Sequence, residues 1–204
     1  INVDGLWNSN SYIDQDGIFR DSTSNGKFPS GTNGIVRINS GTEEVMLRNM
    51  EVKNNQLHLV RIHGNNILLD NLHIHRGIAR IVNSSAPPAG IISSDDYFAD
   101  AHGIECSNAN KLTITNTYIG YISGDCIQSG RSVWSELTVE NCLLEMKPLA
   151  EEILGLPVGT WFGEDIYDTK TPERGRNNAS FNEGVTYRNN VLKGQTDHHE
   201  YGHG

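Results

Sequence analysis

LTITNTYI (residues 112–119) reads apolar-x-apolar-x-Asn-x-x-apolar, and the same frame recurs four more times along the chain. The other copies are VMLRNMEV (45–52), ILLDNLHI (67–74), LTVENCLL (137–144) and VTYRNNVL (185–192). Their asparagines are Asn49, Asn71, Asn116, Asn141 and Asn189, with separations of 22, 45, 25 and 48 residues. We read those spacings as one, two, one and two periods of roughly 22–25 residues. Apolar residues alternate with period 2 on both sides of each Asn, so every copy is a pair of short strands broken by a turn. Asn suits that turn because it tolerates left-handed dihedrals and its amide can bond to nearby backbone. Stacked in successive coils, such amides can form a ladder. The frame predicts Leu47, Leu69, Ile114, Val139 and Tyr187 as one inward column.

A further strand precedes each copy: GIVRIN (34–39), HLVRIH (58–63), HGIECS (102–107), DCIQSG (125–130) and DIYDTK (165–170). Two or three strands per coil, with coils ~4.8 Å apart, describe an all-β parallel β-helix: a single solenoid with coils of about 22–25 residues. Leucine-rich repeats need a denser Leu frame. Helical repeats need period 3.6, and a sandwich would not repeat the Asn in register. The chain is read as one domain, 1–204, with an N-terminal lead-in at 1–33 and two inserted loops at 78–101 and 148–163. The first insert is one repeat long, so it is either a degenerate coil or a surface loop. His203-Gly204 falls where His102-Gly103 opens a coil. The solenoid is therefore expected to be truncated at its C-terminus, with missing coils or self-association completing it.

Composition narrows the partners. The 204 residues carry 16 Lys+Arg against 25 Asp+Glu, a net charge of −9, which disfavours nucleic acid and anionic membrane surfaces. No apolar run approaches the ~20 residues of a membrane span. Three cysteines cannot all pair within the chain, so this is no disulfide scaffold. Sequons at Asn83 and Asn178 matter only in a glycosylating secretory pathway.

Aligning the upstream strands sorts their side chains into columns. Inward positions read Val36/Ile38, Val60/Ile62, Ile104/Cys106, Ile127/Ser129 and Tyr167/Thr169, which makes Cys106 a packing thiol rather than a nucleophile. Between them runs an outward column of Arg37, Arg61, Glu105, Gln128 and Asp168, with Lys170 two residues beyond Asp168 on the same face. The turn before each strand supplies Gly34, His58, His102, Asp125 and Asp165. Asp125 and Asp165 on adjacent coils would repel by about 3 kcal/mol at a separation of ~5 Å. A shared proton, a cationic side chain or a hard cation would relieve this. Oxygen-rich surroundings favour Ca2+ over Zn2+. The competing reading is that these acids cap strand-end amides. Residues 164–193 hold five cations (Lys170, Arg174, Arg176, Arg188, Lys193) and five acids, so an anionic sugar meets less repulsion here than elsewhere.

The Asn-turn coils, the acidic coil edges and the segment GEDIYDTKTP (163–172) resemble the right-handed parallel β-helix polysaccharide lyases of the pectate-lyase-like superfamily. The resemblance implies β-elimination on a uronate-containing polysaccharide outside the cytoplasm, extracellular or periplasmic. It implies Lys170 as the base, Arg188 as a partner of the substrate carboxylate, and Asp125, Asp165 and Asp168 as Ca2+ ligands. His102, Arg131, Trp161 and Arg174 are the candidate substrate contacts. The same superfamily holds hydrolases, epimerases and non-enzymatic surface proteins, so two other readings stand. One is a non-catalytic fibre or adhesin; the other is a glycoside hydrolase using Asp125 with Asp165 or Asp168 as its carboxyl pair. His199-Glu200-Tyr201-Gly202-His203 fits the H-E-x-x-H zinc signature, but Gly202 and the absence of an amphipathic run argue against the helix that signature needs.

Overall fold

The computed structural model describes residues 2–4, 11–13, 19–21, 35–55, 58–77, 101–107, 109–122, 124–129, 135–146, 165–169 and 184–194. Lys170, Arg131, Trp161, Arg174, both sequons and the His199–His203 motif lie outside the described residues. So do the two predicted inserts except for Ala101, which is buried, its carbonyl accepting the Gly124 N–H at 3.1 Å.

Every described element is a strand. They are β1 (Asn2–Asp4), β2 (Ser11–Ile13), β3 (Phe19–Asp21), β4 (Val36–Ile38), β5 (Glu43–Asn55), β6 (Val60–Ile62), β7 (Asn65–Gly77) and β8 (Ile104–Cys106). There follow β9 (Asn110–Thr115), β10 (Tyr118–Ile122), β11 (Ile127–Ser129), β12 (Ser135–Glu140), β13 (Leu143–Glu145), β14 (Tyr167–Thr169), β15 (Thr186–Arg188) and β16 (Val191–Lys193). The upstream strands β4, β6, β8, β11 and β14 form one parallel sheet in that spatial order. The Asn-containing segments form the second. There β5 and β7 run through the bend as 13-residue strands, whereas β9/β10, β12/β13 and β15/β16 are split at it. β1 adds to the edge of β5, and β2–β3 is the one antiparallel pair among the described residues. Each coil thus contributes three extended runs to a parallel β-helix.

The predicted inward column holds in register: Leu47 opposes Leu69, Leu69 opposes Ile114, Ile114 opposes Val139, and Val139 opposes Tyr187. Leu69, Ile114 and Val139 are fully buried. A second column on the far side of the bend stacks Val52, Ile74, Ile119, Leu144 and Leu192. The upstream sheet contributes Ile38, Val60, Ile62, Ile104, Cys106 and Ile127 to the same core. Each such side chain contributes roughly 1.5–3 kcal/mol by leaving water, and a cavity at the centre of the stack, as in Ile114→Ala, would cost about 2–5 kcal/mol. Burial pushes the Cys106 thiol up to about 12, as befits a packing group.

The period assignment needs one correction. β7 pairs directly with β9, and β12 directly with β15, so the separations of 45 and 48 residues are each a single coil step and not two. No coil lies between the paired strands.

All five frame asparagines have positive φ, between 51° and 55°. Five residues upstream runs a second left-handed column that the frame did not announce: Glu44, Asn66, Lys111, Glu136 and Gly184, with φ of 58°, 55°, 55°, 54° and 73°. Each coil bends at both ends of the central run, and Arg76 and Tyr121, five residues beyond Asn71 and Asn116, add a third left-handed residue to their coils, with φ of 60° and 57°.

Candidate functional site

The upstream sheet carries the outward column in register. Arg37 pairs with Arg61, Arg61 with Glu105, Glu105 with Gln128, and Gln128 with Asp168. This column is less open than its outward direction implies. Glu105 and Gln128 are buried, and Arg61 Nε donates to Glu105 Oε2 at 2.7 Å, cancelling the central charges. Ser107 Oγ donates to the other Glu105 oxygen.

Beside it stands the turn column. Backbone bonds tie its members one coil apart: Leu59 N–H to His102 C=O, Gly103 N–H to Asp125 C=O, and Cys126 N–H to Asp165 C=O. The His58 and His102 rings stack with centroids 4.7 Å apart and 5° between planes, and the His102 N–H donates to His58 Nδ1 at 3.3 Å. Glycine is required just before Asp125, because a side chain at Gly124 would stand 2.7 Å from His102 Nδ1. Burial lowers the His58 imidazole, with the Glu105 charge opposing that shift.

Asp125 is the hub. It has no exposed surface; its Oδ1 accepts the Asp165 N–H at 2.9 Å and its Oδ2 accepts from Gln128 Nε2 at 2.9 Å. The same Gln128 amide lies 3.4 Å from Asp168 Oδ2, so one donor bridges two carboxylates. Burial first, then the Asp168 charge and more weakly that of Asp165, push the Asp125 carboxyl up to about 7, while the hydrogen bonds it accepts pull the other way. Its neighbour His102 agrees with that shift. His102 Nδ1 accepts the Asp125 N–H at 3.0 Å, so an ionised Oδ2, 3.3 Å from the same nitrogen, would face a lone pair. A protonated Oδ2 would donate to it instead.

The expected site residues are therefore distributed unevenly. Gln128 bridges the Asp125 and Asp168 carboxylates, Asp165 joins them through its backbone N–H on Asp125, and Lys170 follows Thr169 directly in sequence. His102, expected to touch substrate, is 2% exposed and props the turn column from inside. Arg188 belongs to β15, on the other sheet, and is bound to Glu140 there. One cluster escaped the sequence reading altogether. Glu51, His73 and His75, on β5 and β7, bring their ligand atoms within 4.8 Å of one another.

A family model described as a right handed beta helix region matches residues 9–149, more than half of the chain. The chain belongs to the right-handed β-helix family. No curated protein and no solved structure matches it. Membership fixes the hand of this β-helix but leaves its chemistry to the residues on its faces. Among the described residues no helix is long and apolar enough to cross a membrane.

Proposed function

We propose that this β-helix protein is a polysaccharide lyase that cleaves a uronate-containing glycan by β-elimination outside the cytoplasm. The observation that carries the reading is the Asp125–Gln128–Asp168 bridge, with the Asp165 N–H on Asp125, at the end of the upstream sheet and just before Lys170 in sequence. Removing the proton beside a carboxylate requires that carboxylate to be neutralised, because the intermediate gathers negative charge on it. The carboxylates of Asp165 and Asp168 are oxygen donors of the kind a hard cation such as Ca2+ takes. Asp165 and Asp168 would hold that ion, which when bound would pair with the uronate carboxylate, while Asp125, buried with both oxygens taken by the Asp165 N–H and Gln128 Nε2, supports them from behind.

Lys170 is the base in this scheme. A lysine starts near 10.4, and Asp168, two residues before it in sequence, would favour its charged form, so a working base needs either the cation's field or an alkaline optimum. Arg188, committed to Glu140 on the other sheet, has no part in the step. The hydrolase reading needs Asp125 or its partner to protonate a glycosidic oxygen. Burial of Asp125 behind Gln128 and the Asp165 amide weighs against it in that role.

Absorbance near 235 nm over a panel of pectin, alginate, glucuronan and glycosaminoglycans reads the unsaturated uronate directly. One substrate should respond, with activity rising towards alkaline pH and falling on chelation. Lys170→Ala should lose most of the turnover while keeping the fold and glycan binding; full activity in that variant would refute the base. Calorimetric titration of chelated protein with Ca2+ should show binding that Asp168→Asn loses.

A further inference from the structure

The outer face on the far side of the asparagine bend lies on a different sheet from the acid column. Here β5 and β7 pair so that Glu51 opposes His73 and Lys53 opposes His75, while β10 continues the rows with Tyr118 beside His73 and Gly120 beside His75. Residues two apart on a strand share a face, which puts His73 and His75 side by side. Their rings stack with centroids 4.4 Å apart. Glu51 reaches diagonally to His75, with Oε1 2.9 Å from Nε2, and its other oxygen accepts from Lys53 Nζ at 3.0 Å.

We propose that Glu51, His73 and His75 form a binding site for a first-row transition-metal dication of the Zn2+ type. Two imidazoles and one carboxylate are a donor set for such an ion and a poor one for Ca2+ or Mg2+, which need more oxygens. With metal–ligand bonds of ~2.1 Å, tetrahedral ligand atoms lie roughly 3.3 Å apart. The three atoms here, all within 4.8 Å, need only side-chain rotation to close on an ion. Three protein ligands leave a fourth position for water or another donor.

The surroundings hold the ligands in place. Tyr118 packs edge-on against His73 at 4.7 Å and its hydroxyl donates to Glu145 Oε2 at 3.2 Å. That pose depends on glycine at 120, where an added Cβ would stand 2.3 Å from the Tyr118 hydroxyl. Lys53 orients the Glu51 carboxylate through the oxygen that the ion does not need, as second-shell donors do, but its charge opposes a dication, and so does that of Arg76. Removing the Lys53 charge should therefore tighten binding.

The test is calorimetric titration of chelator-stripped full chain with ZnCl2, with CoCl2 absorption reporting the ligand set. One ion should bind per chain. His73→Ala and Glu51→Gln should each weaken it at least ~tenfold, and Lys53→Gln should strengthen it. His73 and Glu51 are not core residues, and circular dichroism confirms that each variant is folded. His199→Ala/His203→Ala, which removes the alternative pair of tail histidines, should bind Zn2+ as the parent does. The proposal is overturned if the parent binds no Zn2+, if His73→Ala/Glu51→Gln binds it unchanged, or if the tail variant is the one that loses it.

Discussion

Two columns run up this solenoid, and they are built on opposite rules. The asparagine column repeats one residue five times, on the outside of a bend, always in the left-handed region. Its rungs are interchangeable: Asn71 Nδ2 donates to Asn49 Oδ1 at 2.7 Å, though Asn116 turns instead to Asp70 Oδ1 at 2.8 Å. The turn column changes along its length, from His58 and His102 to Asp125 and Asp165, and its central members are buried. Unlike neighbours then meet without water between them: ring on ring, imidazole on carboxyl, carboxyl on amide. A uniform column serves the backbone. A varied one concentrates charge and hydrogen-bonding chemistry at a single level of the stack.

The largest expected effect of breaking the contrast is at Asp125. Its folded value of about 7 stands above the 3.8 of a free aspartate, so the folded state holds the proton more tightly than the unfolded chain. Stability is then greatest below about pH 4 and declines as pH rises towards about 7, by on the order of 4 kcal/mol in the absence of a cation. Asp125→Asn keeps an oxygen for the Asp165 amide and removes the titration. Denaturant midpoints between pH 4 and 8, taken with chelator present, should fall for the parent and stay nearly level for the variant. Parallel curves would show that Asp125 does not carry this charge.

A smaller effect is expected in the uniform column. Asn71→Ala removes the amide that lets this residue hold the left-handed bend and deletes the bond to Asn49, together costing about 2 kcal/mol with no change in metal or glycan binding. The smallest effect has the opposite sign. Lys111 holds a left-handed φ with neither an amide nor a missing Cβ to favour it. Lys111→Gly should stabilise by about 0.5–1 kcal/mol, the relief of strain exceeding the extra freedom of the unfolded chain. A lower melting temperature for Lys111→Gly would mean that the Lys111 side chain contributes more than its backbone strain costs.

These columns also mark how far the sequence could be read. The asparagine bend was legible because one residue type recurs at each step in a period-2 frame, and the inward column followed from the same alternation. The second bend was not, since only Asn66 and Gly184 of its five members are residues that announce a left-handed turn. The acids of the turn column could be aligned by counting back from the strands. Counting did not show that His102 would be sealed beneath its neighbours, nor that Arg61 and Glu105 would neutralise each other. The pair His73-Ile74-His75 was visible as two histidines on one strand face. Its partner Glu51 lies 22 residues before His73, one coil step, and that step is the only written sign that the three would meet.

The sequence by itself determined much of the cross-section of the coil: which residues point inward, where the asparagine bend falls, and which positions stack on their equivalents. These follow from local alternation and turn chemistry, which act over a few residues and are written wherever the frame repeats. The tertiary structure alone decided which coils are neighbours across the long separations, which column members lose their water, and which unlike side chains meet. Spacing does not record which strands are neighbours; interstrand hydrogen bonding settles that. The charge state of a carboxyl such as Asp125 is set by everything packed around it, most of which lies one coil above or below.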